Sequence, residues 1–251
     1  MFTLRQRDGV RSYILEMAQN DSRVTGGALI GSTAAGTEDT WSDIDLTFGI
    51  ASGNPIETVI ADWTQALAQE FGVLDYFDLY VRSSIYRVFL LPNGLEADVS
   101  VTPEDDFGAY GPHFHTLFGK AQRLQSTPSA DIRHIIGLGW HHVLHAHSSI
   151  ERHKPWQAEY WISEIRNHTF ELSCIRLGER SAHRRGVDKL PVAVTNPLAN
   201  TLVRSLEEPE LRRALSAATA CLIREIEQYD TTLGARLKPL LYEFVAIQDK
   251  G

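Results

Sequence analysis

The sequence predicts an α+β chain: a mixed sheet with helices on one face over residues 1–115, then an all-α helical domain over 116–251. Three observations point there. Short runs of β-formers broken by glycine and asparagine fill the first half. Broad apolar stripes at helical spacing fill the second. The charge divides with them: 7 Lys and Arg stand against 17 Asp and Glu through residue 120, but 17 against 15 beyond it. At 251 residues, 43% of them hydrophobic, the chain can bury a sizeable core without disulfides.

The elements follow in order. Leu4, Val10, Tyr13, Ile14 and Met17 fall on one stripe, so residues 3–20 read as an amphipathic helix. Residues 26–31 read as a short buried strand ending in glycine, and Thr33 to Ser42 as a turn or short helix. Asp43 to Ile50 alternates and reads as a strand. After the Asn54-Pro55 break, Ile56, Val59, Ile60, Trp63, Leu67 and Phe71 mark a helix. Val73 to Val81 reads as a strand. Tyr86–Leu91 and Leu95–Val101 flank Pro92-Asn93-Gly94, a hairpin signal in which Asn-Gly supplies positive φ. Beyond about residue 113 helices are expected near 129–148, 155–177, 198–206, 209–228 and 232–247.

The chemistry gathers in Gly31-Ser32 and Ser42-Asp43-Ile44-Asp45-Leu46. Residues i and i+2 of a strand share a face, so Asp43 and Asp45 project together. Adjacent carboxylates repel unless a cation lies between them, and Mg²⁺ prefers oxygen donors of this kind. Gly31 permits close backbone approach, and Ser32 offers an N–H and a hydroxyl to a phosphate at a strand-to-helix turn. A third carboxylate, Asp98, lies in the second hairpin strand on one face with Glu96 and Ser100; Ala97, Val99 and Val101 take the other.

Taken together, Gly31-Ser32, the interval through Gly36, Ser42 to Leu46 and the later Asp98 resemble the signature of the DNA-polymerase-β-type nucleotidyltransferase superfamily. The helical second half resembles its small-molecule members, the aminoglycoside and lincosamide nucleotidyltransferases. The resemblance implies a catalytic domain at 1–115 and a helical domain binding substrate and nucleotide at 116–251. It implies an enzyme in which Asp43, Asp45 and Asp98 hold metal, two Mg²⁺ ions, with Asp98 alternatively activating the acceptor hydroxyl. Gly31, Ser32 and Ser42 would contact the NTP, and Lys189, in the loop after Arg184-Arg185, would reach its triphosphate from the helical domain. The expected reaction transfers AMP from ATP to a hydroxyl of an aminoglycoside-like acceptor and releases pyrophosphate. One departure stands out: Thr33 to Glu38 lacks the Arg that some members carry there. The same domain also occurs as an antitoxin that modifies or binds a partner protein, which is the alternative reading.

Other features are less specific. Asp98, Glu104 and Glu159 are the candidate general bases. His134, His141 and His145 lie roughly along one helical stripe within a cluster ending at His147; they read either as a polar helix face or, through His141 and His145, as a zinc chelate. Trp161 and Ile162 are expected in the core; Trp156 and Tyr160 share a helical face and, on a cleft wall, would stack a base or sugar. Cys174 and Cys221 are too few and too far apart for a disulfide framework. The formal net charge of −8, and the absence of a basic footprint, argue against nucleic acid as a partner. No stretch approaches a membrane span and no signal peptide is evident, so a cytoplasmic protein is expected.

Overall fold

The computed structural model describes residues 2–110, 113–124 and 130–245. The chain forms two compact units, Met1–Pro128 and Ser129–Gly251. It is α+β, with a mixed sheet in the first unit and helices alone in the second.

In the first unit, helix α1 (Leu4–Asn20) starts at a capping box: Thr3 Oγ1 accepts from the Gln6 N–H, and Gln6 Oε1 accepts from the Thr3 N–H. Strand β1 (Val24–Ile30) runs straight into a single turn, α2 (Gly31–Ala34). Strand β2 (Ile44–Ile50) leads to α3 (Ile56–Phe71), which stops at Gly72 with φ +64°. Next come β3 (Asp75–Val81), β4 (Ser84–Leu90) and β5 (Glu96–Pro103). The segment closes with β6 (Gly108–Ala109), β7 (Phe114–Gly119) and β8 (Gln122–Arg123).

Among the described residues the sheet order is β3-β4-β5-β2-β1-β7. Within this sheet only β2 and β5 run parallel and the other neighbours are antiparallel; β6 and β8 form a separate parallel pair. The alternation read from the sequence decides which side is apolar. Ile44, Leu46, Phe48 and Ile50 of β2 join Ala97, Val99 and Val101 of β5 under α1 and α3. Phe48 meets Trp63 edge-on at 5.0 Å between ring centres. Each large side chain buried here contributes about 1.5–3 kcal/mol. The odd members of β2 and even members of β5 therefore face away from the helices.

Three expectations need correcting. Strand β7 is absent from the sequence reading, and the expected division at 115/116 falls inside it. It is an edge strand with most of its residues exposed, so it shows no apolar period. In the hairpin turn only Gly94 takes positive φ; Asn93 instead accepts the Leu95 N–H on its side chain. The helix expected at 198–206 forms earlier, over Val192–Ala199.

The second unit holds α4 (Ile132–Glu151), α5 (Pro155–Leu177), α6 (Val192–Ala199), α7 (Glu208–Tyr229) and α8 (Thr231–Val245). Asp131 caps α4, and Pro155 opens α5 where its missing N–H is not needed. Val143, Ile162, Ile165, Leu215, Leu222 and Leu241 form its core. Pro191 sets the start of α6. The segment after it is held open by arginines: Arg213 donates to the carbonyls of Asn200 and Leu202, and Arg166 to that of Thr201. Those bonds supply partners that a helix would otherwise provide. Cys174 and Cys221 are buried free thiols. Among the described residues no helix is long and apolar enough to cross a membrane.

Candidate active site

The polar face of β2 and β5 carries the candidate carboxylates. Asp43 is the last residue before β2; Asp45 lies within it and is registered opposite Asp98 of β5. The parallel pairing brings together residues far apart in sequence. One carboxylate oxygen from each of Asp43, Glu96 and Asp98 lies within 4.8 Å of the others. Glu96 received no role from the sequence, although its i−2 spacing from Asp98 was the signal that placed it on this face.

Asp45 stands slightly apart from that trio and packs against the Gly31 turn. Gly31 has φ +63°, and a Cβ there would run into the Asp45 carboxylate. Glycine is thus required twice over, by conformation and by space. The next residue, Ser32, has a buried hydroxyl with no hydrogen-bond partner.

The electrostatics are unrelieved. Burial pushes the Asp98 carboxyl up to about 7, and the neighbouring charges of Asp45, Glu96 and Asp43 push in the same direction. Asp98 Oδ1 is buried and makes no hydrogen bond. An uncompensated buried acceptor is unusual in a native fold and marks a place that a ligand completes. The donors are all carboxylate oxygens, which suits a hard divalent ion such as Mg²⁺ or Mn²⁺. The residues therefore fit the metal that the sequence implied, with Glu96 added.

The loop feeding Asp43 into β2 is fastened to α1. Arg7, only 4% exposed, donates to the carbonyls of Asp39 at 2.5 Å and Ser42 at 3.1 Å. Arg11 Nη1 lies 2.7 Å from Glu38 Oε1, and the Thr33 hydroxyl donates to the same oxygen. Sequence reasoning gave these arginines no role, because a charged residue on a surface helix carries no local sign of a distant loop.

The Ser42 hydroxyl, expected on the triphosphate, accepts from the Asp39 N–H and pairs with the Asp39 carboxylate, so it braces its own loop. Glu104 accepts from the Ser52 N–H at 2.7 Å, and Glu159 from the Ser163 hydroxyl. Lys189 belongs to the second unit, is 70% exposed, and sits 3.8 Å from Glu179. Trp156 and Tyr160 are exposed, whereas Ile162 is fully buried.

No protein-family model matches the sequence, and neither does any curated protein. Among solved structures, an aminoglycoside 6-adenyltransferase from Bacillus subtilis is similar over 93% of this chain and 96% of its own. The TM-score is 0.44 and the sequence identity 11%. A likeness that slight assigns no residue a role.

Proposed function

We propose that this chain is a magnesium-dependent nucleotidyltransferase, moving a nucleoside monophosphate, AMP from ATP, onto a hydroxyl of a small acceptor such as an aminoglycoside-like compound. One observation carries the reading: Asp43, Glu96 and Asp98 converge from neighbouring parallel strands beside Asp45 and the Gly31-Ser32 turn.

Asp43, Asp45, Asp98 and Glu96 would hold Mg²⁺, two ions being the expected number for this chemistry. When bound, Mg²⁺ supplies positive charge to the phosphates and to the leaving pyrophosphate. Ser32 offers its partnerless hydroxyl, and Gly31 its backbone, to the triphosphate. The acceptor oxygen bonds to the α-phosphorus as the bond to the bridging α–β oxygen breaks, and pyrophosphate departs with that oxygen. Asp98 is alternatively the carboxylate that takes the acceptor's proton. Arg7 and Arg11 hold the loop that aims Asp43. Lys189 is assigned to the triphosphate, supplying the positive charge that residues 33–38 lack.

The test has two arms. Calorimetry of the full chain with each NTP, with and without Mg²⁺, reads nucleotide binding independently of the acceptor; magnesium-dependent binding is expected. Incubation with Mg²⁺, each NTP and an acceptor panel then reads pyrophosphate release and product mass. Absence of any magnesium-dependent nucleotide binding would overturn the proposal.

A further inference from the structure

A second set of metal-ligating side chains lies wholly within the helical unit. We propose that His142, Glu164 and His168 form a three-ligand site for a borderline transition metal of the zinc type, tying α4 to α5.

Two of the ligands come from one helix. Glu164 and His168 are four residues apart on α5 and project from one face. His142 comes from α4, and its ring centre lies 5.1 Å from that of His168. One ligand atom from each of the three falls within 4.8 Å of the others. Zinc held at about 2.0–2.2 Å from each donor would set neighbouring donors roughly 3.3–3.6 Å apart. Small side-chain rotations close that gap.

The imidazoles are otherwise unexplained. His142 is 7% exposed, yet its Nδ1 is buried without a hydrogen-bond partner. Both ring nitrogens of His168 are buried without a hydrogen bond, although Glu171 Oε2 lies 3.7 Å from Nδ1. Histidine usually satisfies its nitrogens when buried, so His142 Nδ1 and His168 Nε2 left open in one place call for a ligand.

The surroundings match what metal sites use to steer their ligands. Asn167 donates to Glu164 Oε1 at 2.7 Å, and Asn167 in turn accepts from Arg184. Glu171 Oε2 faces His168 Nδ1 at 3.7 Å, placed to accept that proton and leave Nε2 for the ion. Two imidazoles and one carboxylate favour zinc over magnesium. The site is independent of the carboxylate cluster in the first unit, and neither reading depends on the other.

The experiment uses the full chain stripped of metal by chelator dialysis. Zinc is titrated in competition with a chromophoric chelator, and cobalt(II) is added separately to read its visible d–d spectrum. One zinc per chain at this site, a cobalt spectrum of low coordination number and a raised Tm are expected, all unchanged in Asp43→Asn/Asp98→Asn. Glu164→Gln and His168→Gln should each weaken zinc by more than the roughly 10- to 100-fold that loss of an outer partner costs. Asn167→Ala should fall within that range. His142→Ala is the severest variant; if it fails to fold, the two conservative substitutions, checked by circular dichroism without metal, still decide. Failure of the folded wild type to bind zinc or cobalt would overturn the site. So would zinc binding that survives both Glu164→Gln and His168→Gln.

Discussion

The two units each gather ionisable side chains that the fold leaves unsatisfied, but in opposite chemical senses. On the sheet, Asp43, Glu96 and Asp98 converge, and burial with the neighbouring like charges raises Asp98. Between α4 and α5, burial lowers His142 and strands neutral imidazole nitrogens. The first arrangement asks for positive charge and oxygen-loving ions; the second asks for an electron-pair acceptor that suits nitrogen. Elsewhere in the helical unit Arg176 meets Glu225 at 2.6 Å, while Ser173, Thr219 and His147 each keep a buried polar atom without a partner but, among the described residues, gather no set of metal-ligating side chains around it. In both places burial disfavours the charged form, which raises an acid and lowers a base; the donor atoms gathered there, oxygen in the first and nitrogen with oxygen in the second, set the kind of ion each suits.

The contrast breaks first, and hardest, on the sheet. Asp43→Asn or Asp98→Asn should lower nucleotidyl transfer by on the order of 1000-fold while the circular dichroism spectrum stays native. Full activity in either would remove the carboxylates from the chemistry.

Arg7→Ala strips the buried anchor from the loop leading to Asp43 and should destabilise the chain by about 3 kcal/mol. Urea denaturation reads the loss. Arg11→Ala, on a more exposed partner of the same loop, should cost much less.

Gly31→Ala places a methyl against the Asp45 carboxylate at a positive φ. Loss of roughly 1–2 kcal/mol is expected from the backbone alone, together with weaker magnesium-dependent nucleotide binding by calorimetry. Undisturbed binding would show that Asp45 need not sit where it does.

The pH dependence sharpens the comparison, because the two sites pull in opposite directions. Asp98 has a folded pKa above its unfolded value, so the folded chain holds its proton longer, and stability falls as pH rises from about 4 to about 7. His142 has a folded pKa below its unfolded value, so stability rises as pH climbs from about 4 through about 6.5. In metal-free protein the two trends oppose across that window. Asp98→Asn should leave the histidine trend exposed, with stability climbing more steeply from pH 4.5 to 6.5 in urea titrations. An unchanged slope would mean the carboxylate is not held near neutrality.

The smallest effect is expected at Lys189. Its exposed pairing with Glu179 adds little, so Lys189→Ala should leave Tm unchanged. The KM for NTP should rise roughly tenfold if the lysine meets the triphosphate; an unaltered KM would reduce it to a surface charge.

Much of this architecture is readable from residue order. The run from Ile44 to Ile50 alternates cleanly, and Ala97, Val99 and Val101 do the same, so the apolar and acidic faces of β2 and β5 are both legible. The spacing of Val59, Ile60, Trp63 and Leu67 gives α3 to its last residue. Strand β7 escapes because an exposed edge strand carries no period. The displacement of α6 escapes because its end is decided by Arg213 and Arg166 reaching from α7 and α5. The grouping of His142 with Glu164 and His168 escapes for the same reason. Stripe-counting along one helix favours His141 and His145, whereas the partners that matter lie on the next helix.

The single parallel pair in the sheet has one more consequence. Asp45 and Asp98 become neighbours only after α3, β3 and β4 have been laid down between them. Such distant contacts are slow to close and come after local helices and hairpins. A nascent or partly unfolded chain therefore has no assembled carboxylate cluster, and the nucleotide binding proposed for it would arrive together with the finished tertiary structure.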